Sequence, residues 1–460
     1  MSRLYIPVES QSRELASRIA VALYSLDIGF SDVIIGRDVE VFNTIQKPGV
    51  VLLKSAASFE FKLVEKLLSQ GHKVYSLDEE GILPPLNDSS INTRFSKDLL
   101  SMLSGVFVNG NLELSSFPSW VKSSEKLIIT GNPRFDFYAP RKRRFYNNNK
   151  NKINSLVKGK KIILLVSRFG DVNLSKNINY FKLLEDNGYM NTEKSRAFHK
   201  GFYEHSKVIF EEFIQLPTTL AREFPEHMIV VRPHPSECDS VWRTFNKFEN
   251  ILVSSQFDIA SWLSCAEVMV HNGCTTSVEA TAMEVPVISF VPATSDEYDL
   301  VQANELGEKA ENIQEVVDII RDKEGLYLMA DNLSKLNEII KYDPECNASE
   351  LIAKSLYDGV QTVTNETNSK RSKNIRFFLR EIIKLLLSNL KLRHCYARKK
   401  YPFISTVKFR AKVEDISKCM NLEGFSVNRE GIDVFRIKKI KPDYIAALGE
   451  VVGKCRPLFP

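Results

Sequence analysis

Short apolar runs alternate with amphipathic helical stretches twice along this chain, and that pattern limits it to a narrow set of folds. In the first series Leu4-Tyr-Ile-Pro-Val8, Asp32-Val-Ile-Ile-Gly36, Gly49-Val-Val-Leu-Leu53 and Lys73-Val-Tyr-Ser-Leu77 read as strands. Gly105-Val-Phe-Val-Asn-Gly110 and Lys126-Leu-Ile-Ile-Thr-Gly-Asn-Pro-Arg134 continue it. Helical patterns near Arg13–Leu23, with Leu15, Ile19, Ala22 and Leu23 toward one face, and over Glu60–Leu68 lie between them. Strands that alternate with helices imply parallel βαβ units and a doubly wound sheet.

A second series begins at Lys161-Ile-Ile-Leu-Leu-Val166 and runs through a helix of about Phe202–Phe224. The strands Met228-Ile-Val-Val-Arg232, Val268-Met-Val-His271 and Pro286-Val-Ile-Ser-Phe-Val291 follow, and then a helix over Ile313–Ile320. Residues 141–154, RKRRFYNNNKNKIN, are polar and Asn-rich without apolar periodicity, and read as a linker. At 460 residues the chain is too long for one ordinary domain. The expected layout is an α/β protein of GT-B architecture with two Rossmann-like doubly wound domains. Residues 1–140 would supply the acceptor side and a catalytic base, 141–158 the linker, and 159–345 the nucleotide site. Residues 346–460 would form a basic helical extension and a small cap built from Phe425-Ser-Val427 and Val434-Phe-Arg-Ile437.

Charge matters because it is uneven. The formal net charge is +5, yet residues 370–400 hold eleven Lys or Arg against the single acid Glu381. The remainder is therefore mildly acidic, which argues against a nucleic-acid-binding body. Within that basic stretch Ile375, Phe378, Leu379, Ile382, Leu386 and Leu390 fall on one helical face. Two readings stand: a closing helix packed on the first domain, or attachment to an anionic inner-membrane surface. The N-terminus has no signal-peptide core, and no apolar run approaches the ~20 residues of a membrane span. Seven cysteines without a CxxC pair argue against a zinc knuckle or a disulfide framework and for a reducing cytoplasm.

Chemistry concentrates at two strand ends of the second series. Val268-Met-Val-His-Asn-Gly-Cys-Thr-Thr-Ser-Val-Glu-Ala280 is a strand that turns through His271, Asn272 and Gly273 into a helix start bearing Thr275 and Thr276. Helix-start N–H groups and two hydroxyls suit a phosphate. Glu279, one turn further in, suits a ribose diol. The alternative is an ordinary βα turn with a Thr cap. Arg232-Pro-His-Pro-Ser-Glu237 ends another strand, and its prolines hold Arg232 and His234 at the sheet's carboxyl edge, where ligands of open α/β sheets bind. Together they read as two sides of one nucleotide-phosphate pocket. In the first series Asp78-Glu79-Glu80-Gly81 follows a strand end, where adjacent carboxylates can raise one pKa and supply a base or nucleophile. A solvated acidic turn is the plainer alternative. What lifts the element is its expected place across an interdomain cleft from Arg232-Pro-His-Pro.

The succession Pro7-Val-Glu9 with Arg13-Glu-Leu15, Leu77-Asp-Glu-Glu-Gly81, Gly131-Asn-Pro-Arg-Phe-Asp136, Arg232-Pro-His-Pro-Ser-Glu237, His271-Asn-Gly273 with Thr275-Thr276, and Val434-Phe-Arg-Ile437 resembles the bacterial surface carbohydrate biosynthesis proteins. That family is similar to GT-B glycosyltransferases, and its best understood relatives transfer Kdo from CMP-Kdo onto lipid-linked polysaccharide. The acidic-acidic-Gly element, the His-Pro and the hydroxyl pair also resemble GT-B sialyltransferases. The resemblance implies a glycosyltransferase of capsule or O-antigen biosynthesis that moves Kdo or a related ulosonic acid from a CMP-activated donor to a glycan or lipid-linked glycan. It implies Glu79, with Glu80 beside it, at the acidic catalytic position, His234 at the CMP phosphate, and Thr275 and Thr276 holding that phosphate.

Such a donor leaves through an oxocarbenium-like state, so leaving-group charge must be met by His, hydroxyls and helix-end N–H groups. A carboxylate acts as base or, for retention, as nucleophile. Arg134 or Arg168 could pair with the sugar's carboxylate, and Glu237 lies on the donor or acceptor side. No cofactor or metal is expected, and there is no DxD motif. Two departures from the family stand out: Ser167-Arg-Phe-Gly-Asp171 replaces an Asn/Thr-rich strand end, and Cys238 follows Glu237, where Asp239 could substitute for an acid. Competing readings are a CDP-glycerol-type polyol-phosphate transferase, which shares an RPHP-like turn and a hydroxyl-rich helix start, and a non-catalytic assembly factor. UDP-sugar epimerisation is a weaker fourth.

Overall fold

The computed structural model describes residues 2–45, 47–78, 81–83, 95–174, 179–322, 325, 332–360 and 400–440. The chain divides into two compact units, one of Met1–Gly81, Asp88–Phe137 and Lys341–Pro460, the other of Ile82–Asn87 and Tyr138–Ile340.

The first unit is built on six parallel strands: β1 (Arg3–Val8), β2 (Asp32–Arg37), β3 (Val50–Leu53), β4 (Lys73–Leu77), β5 (Gly105–Val108) and β6 (Leu127–Ile129). They lie in the order β2-β1-β3-β4-β5-β6, so the direction of winding reverses between β1 and β3. The strands from β1 to β5 are buried along almost their whole length, as expected of parallel strands covered by helices on both faces. The helix Leu15–Ile28 is correspondingly buried on most sides, and takes even Arg18 inside, where Nη2 donates to the Leu77 carbonyl at 3.0 Å.

After residue 340 the chain rejoins this unit, and a sequence motif explains how. Asp136 of Gly131-Asn-Pro-Arg-Phe-Asp accepts the backbone N–H groups of Ala348 (2.8 Å) and Ser349 (2.9 Å). One carboxylate thereby caps the helix Ala348–Val360, which packs along Leu15–Ile28. Two last strands, β13 (Phe425–Gly431) and β14 (Val434–Lys439), form an antiparallel hairpin, and β14 adds antiparallel to β2. The expected small cap is thus an extension of the first sheet, fixed by Phe409 of the helix Thr406–Cys419 stacked 3.9 Å from Phe435. The basic stretch 370–400 lies outside the described residues except for Lys400, which pairs with Glu9.

The second unit carries β7 (Lys161–Val166), β8 (His227–Arg232), β9 (Ile251–Val253), β10 (Ala266–His271), β11 (Val287–Phe290) and β12 (Glu308–Ala310), all parallel. Their order, β9-β8-β7-β10-β11-β12, is third, second, first, fourth, fifth, sixth in chain order, the doubly wound arrangement with its switch point between β7 and β10. Ile163, Leu165, Ile229, Val231, Val268 and Val270 form the centre of its core.

Two expectations are corrected here. The stretch taken for a linker is helical: Pro140–Tyr146 is a 3₁₀ turn and Asn147–Leu156 a helix. Its apolar positions are sparse but correctly spaced, so Tyr146, Ile153 and Val157 are buried, Lys142 with them, while Asn147, Asn148, Lys150, Asn151 and Lys152 stay in water. The long helix expected over 202–224 is two, Glu193–Phe213 and Leu216–Glu223. Thr192 and Ser195 cap the first reciprocally, and Pro217, which lacks an N–H, fits the first turn of the second but not the middle of one long helix. Among the described residues no helix is long and apolar enough to cross a membrane.

Candidate functional site

The carboxyl ends of β7, β8 and β10 meet at the switch point of the second unit, and polar side chains stitch them together. Arg168, two residues past β7, donates from Nε to the Asn272 carbonyl (2.9 Å) and from Nη2 to Asn272 Oδ1 (3.2 Å). Its guanidinium lies 5.8 Å from the centre of the Phe202 ring. Among the described residues Nη1 makes no hydrogen bond. The turn after β10 is shaped to receive this group. Gly273 has φ +49°, and a Cβ there would sit 3.1 Å from Arg168 Nε. Glycine adopts this left-handed conformation without the Cβ penalty and leaves Arg168 its room.

The rest of that turn is held from inside. His271 is fully buried; Nδ1 accepts the Cys274 N–H at 3.2 Å, so the proton belongs on Nε2, which donates to Ser289 Oγ at 3.1 Å. Burial, and secondarily the Arg168 charge, push its pKa down to about 3, so the ring is neutral. Asn272 Nδ2 donates to the Phe290 carbonyl (2.8 Å) and Gly273 N–H to Asn304 Oδ1 (2.7 Å). His271, Asn272 and Gly273, expected at a phosphate, therefore fix the shape of the turn. Thr276 is buried, with Oγ1 accepting from Cys274 Sγ at 3.3 Å. Thr275 alone of the hydroxyl pair is exposed, and its hydroxyl makes no hydrogen bond among the described residues. Glu279 is buried, with Oε1 accepting the Tyr138 hydroxyl at 2.9 Å.

At the end of β8 the same division holds. Arg232 points its guanidinium at carbonyls, Nη1 to Gln256 (2.9 Å) and Nη2 to Phe257 (2.7 Å). Phe257 has φ +60°, an uncommon conformation for a bulky residue, and the Arg232 clamp holds it together with Trp262 Nε1, which also donates to the Gln256 carbonyl (2.7 Å). Beside this loop a cavity of about 400 Å³ opens among Asp239, Arg243, Asn246, Ser254 and Gln256. His234 is exposed. Nδ1 accepts the Ser236 N–H (3.2 Å) and lies 2.7 Å from its hydroxyl, which leaves the proton on Nε2. Although the residue is exposed, partial desolvation by its surroundings lowers its pKa from the ordinary value, against an opposing pull from Glu237.

Glu237 is the residue whose part the sequence hid most. It is buried, and Oε1 accepts Ser167 Oγ (2.5 Å), the Phe169 N–H (3.1 Å) and the His234 N–H (3.0 Å). Oε2 accepts Trp242 Nε1 (2.8 Å) and Asn173 Nδ2 (3.3 Å). One carboxylate thus locks the loop after β7 to the turn after β8.

The structure brings Arg168, Arg232, His234, Glu237 and the 271–279 turn to one sheet edge. Arg134 belongs to the first unit, at the end of β6, with its N–H on Asn132 Oδ1 (3.0 Å). Glu79 and Glu80 lie outside the described residues. On either side of them, Asn109 Nδ2 holds the Asp78 carbonyl (3.2 Å) and Glu113 Oε2 (2.8 Å), and Gly81 lies against Glu113. The buried Glu113 carries no sequence signal, since one acid in a short helix reads as surface.

No protein-family model matches the chain, and no curated protein matches it. Solved structures do. A wall teichoic acid polymerase, TagF, is similar at 11% identity over 78% of this chain and 89% of that one, with a TM-score of 0.52. Its H548A variant gives 9% identity, 79% and 90% coverage and a TM-score of 0.53. A UDP-GlcNAc 2-epimerase from Neisseria meningitidis bound to UDP-GlcNAc gives 14% identity over 78% and 100%, with a TM-score of 0.49. The chain has two parallel α/β units of GT-B type.

Proposed function

We propose that this chain is a GT-B transferase that takes a nucleotide-activated donor at the β7/β10 switch point of its second unit. The observation that carries the reading is the exposed Thr275 hydroxyl at a turn whose every neighbour is fixed from within, beside an Arg168 anchored by two of its nitrogens with Nη1 left to donate. Such a preorganised, cationic edge suits a phosphate, because its donors need not reorganise when charge develops on the leaving group. His234, exposed and with its proton on Nε2, is suited to meet a phosphate oxygen of the departing nucleotide. The resemblance to surface carbohydrate biosynthesis proteins assigns the base to Glu79, which would take the proton of the acceptor hydroxyl as the new bond forms.

The transferred group is a sugar, Kdo or a related ulosonic acid from a CMP donor, by that same resemblance. A polyol phosphate from a CDP donor is the second reading, and the likeness in fold to a wall teichoic acid polymerase favours it. A product assay separates the two. The chain is supplied with CMP-ulosonate or with CDP-glycerol labelled in the glycerol, together with a glycan acceptor. Sugar transfer with CMP release supports the first, and labelled glycerol phosphate on the acceptor supports the second. Both transfers leave CMP behind, so an absence of CMP release with either donor rejects both.

A further inference from the structure

The loop that follows β7 carries a carboxylate oxygen with no hydrogen-bond partner among the described residues. Asp171 is only 9% exposed, and its buried Oδ2 makes no hydrogen bond among the described residues. A buried polar atom left unpaired costs its full desolvation, and more when charged. In a native structure such an atom calls for an explanation.

Looseness of the loop is not that explanation. Glu237 holds Ser167 and Phe169 on one side of Asp171 and Asn173 on the other. The Asn173 N–H donates to the Phe169 carbonyl (2.8 Å), and the Cys238 N–H to the Asn173 carbonyl (2.7 Å). Gly170, between these anchors, lies so close to the β8 turn that a Cβ would come within 2.0 Å of Ser236 Oγ. Arg168 ties the same loop to the β10 turn. The loop that carries Asp171 is therefore tied to the turns after β8 and β10. Tyr180, which feels the Asp171 charge, is no counter-ion: burial, with that charge added, pushes its phenol up to about 12, so it stays neutral.

We propose that Asp171 is a ligand-contacting residue, and that its carboxylate accepts a hydroxyl of the sugar or polyol group carried by the nucleotide donor. This rests on the reading of the switch point as a donor site. The class of ligand follows from the chemistry of the atom. An acceptor-only oxygen needs a donated hydrogen, and a carboxylate repels phosphate, so the part of such a donor that it can receive is the neutral, hydroxyl-bearing one. Arg168 then faces the phosphate end of the same molecule.

The test compares wild type with Asp171→Asn and Asp171→Leu by calorimetric titration of CMP, CDP and UDP, and of CMP-sialic acid, CDP-glycerol and UDP-GlcNAc. Melting temperatures are taken alongside. The expected result is a loss of about tenfold in affinity for at least one complete donor, the equivalent of ~1.4 kcal/mol, with the bare nucleotides within about twofold of wild type. The Leu variant should melt at or above the wild-type temperature, since it removes a buried atom without a partner. Variants that melt lower while keeping wild-type preference for complete donors would overturn the inference in favour of a structural role, and so would an equal loss for bare nucleotides. If no nucleotide binds wild type, the donor-site reading itself fails and this assignment fails with it.

Discussion

Arg168 and Asn272 lie 104 residues apart in sequence, yet the guanidinium of one grips both the carbonyl and the side-chain oxygen of the other, at 2.9 and 3.2 Å. That grip joins the ends of β7 and β10, the two strands between which the winding of the sheet reverses. It depends on Gly273. Replacing Gly273 by Ala forces a Cβ into a left-handed conformation, at about 1–2 kcal/mol, and presses on Arg168 Nε. Gly273→Ala should therefore melt lower and lose nucleotide affinity together. Denaturant unfolding beside a binding titration checks this, and a variant that loses stability but binds normally would show that the Arg168 contact does not shape the ligand site.

Glu237 bridges two loops by five hydrogen bonds. Glu237→Gln turns an acceptor into a donor facing other donors and should destabilise the fold on the order of 3 kcal/mol. Chemical denaturation measures the effect. A near-neutral result would return Glu237 to the ligand-facing part that the sequence suggested.

Asp136 caps the helix Ala348–Val360 through two backbone N–H groups. Asp136→Ala should cost about 1–2 kcal/mol and expose amides of that helix to hydrogen exchange. Protection factors at Ala348 and Ser349 unchanged from wild type would refute this account of the Gly131-Asn-Pro-Arg-Phe-Asp136 motif.

Acid should weaken the protein in a defined window. His271 is held neutral down to a pKa of about 3 and His72 to about 4, in both cases chiefly by burial, whereas an unfolded histidine protonates near 6.5. Between these values the unfolded state binds more protons, so stability is full above about pH 6.5 and falls as pH drops toward 4. Each histidine adds a slope of up to about 1.4 kcal/mol per pH unit. Urea midpoints from pH 7 to 4.5 should show this fall, and His271→Gln should flatten it. A slope untouched by that substitution would contradict the burial argument.

Much of this architecture was legible because buried parallel strands announce themselves as continuous apolar runs, and β1, β2, β7, β8 and β10 were read from such runs. β9 and β12 were not: both are three residues long, and β12, Glu308-Lys-Ala310, is not even an apolar run. The helix Asn147–Leu156 was missed because its buried face is only Ile153, with Val157 just beyond. At the candidate site, residue types marked strand ends that share one sheet edge but not who faces outward. His271, Thr276, Arg232 and Glu237 look like ligand groups in sequence, and their side chains are spent on backbone and neighbours. Which of two adjacent threonines turns inward depends on the pitch of one helical turn, and the sequence does not state that.

The central claim, a nucleotide-phosphate site at the β7/β10 edge, is tested most directly by a thermal-shift titration of CMP, CDP and UDP against wild type, Arg168→Ala and Thr275→Val. A ligand at 100 times its Kd stabilises the native state by about 2.7 kcal/mol. One nucleotide should therefore raise the wild-type melting temperature by several degrees, with most of that rise lost in both variants. A rise that persists undiminished in both, or no rise with any nucleotide, would contradict the account.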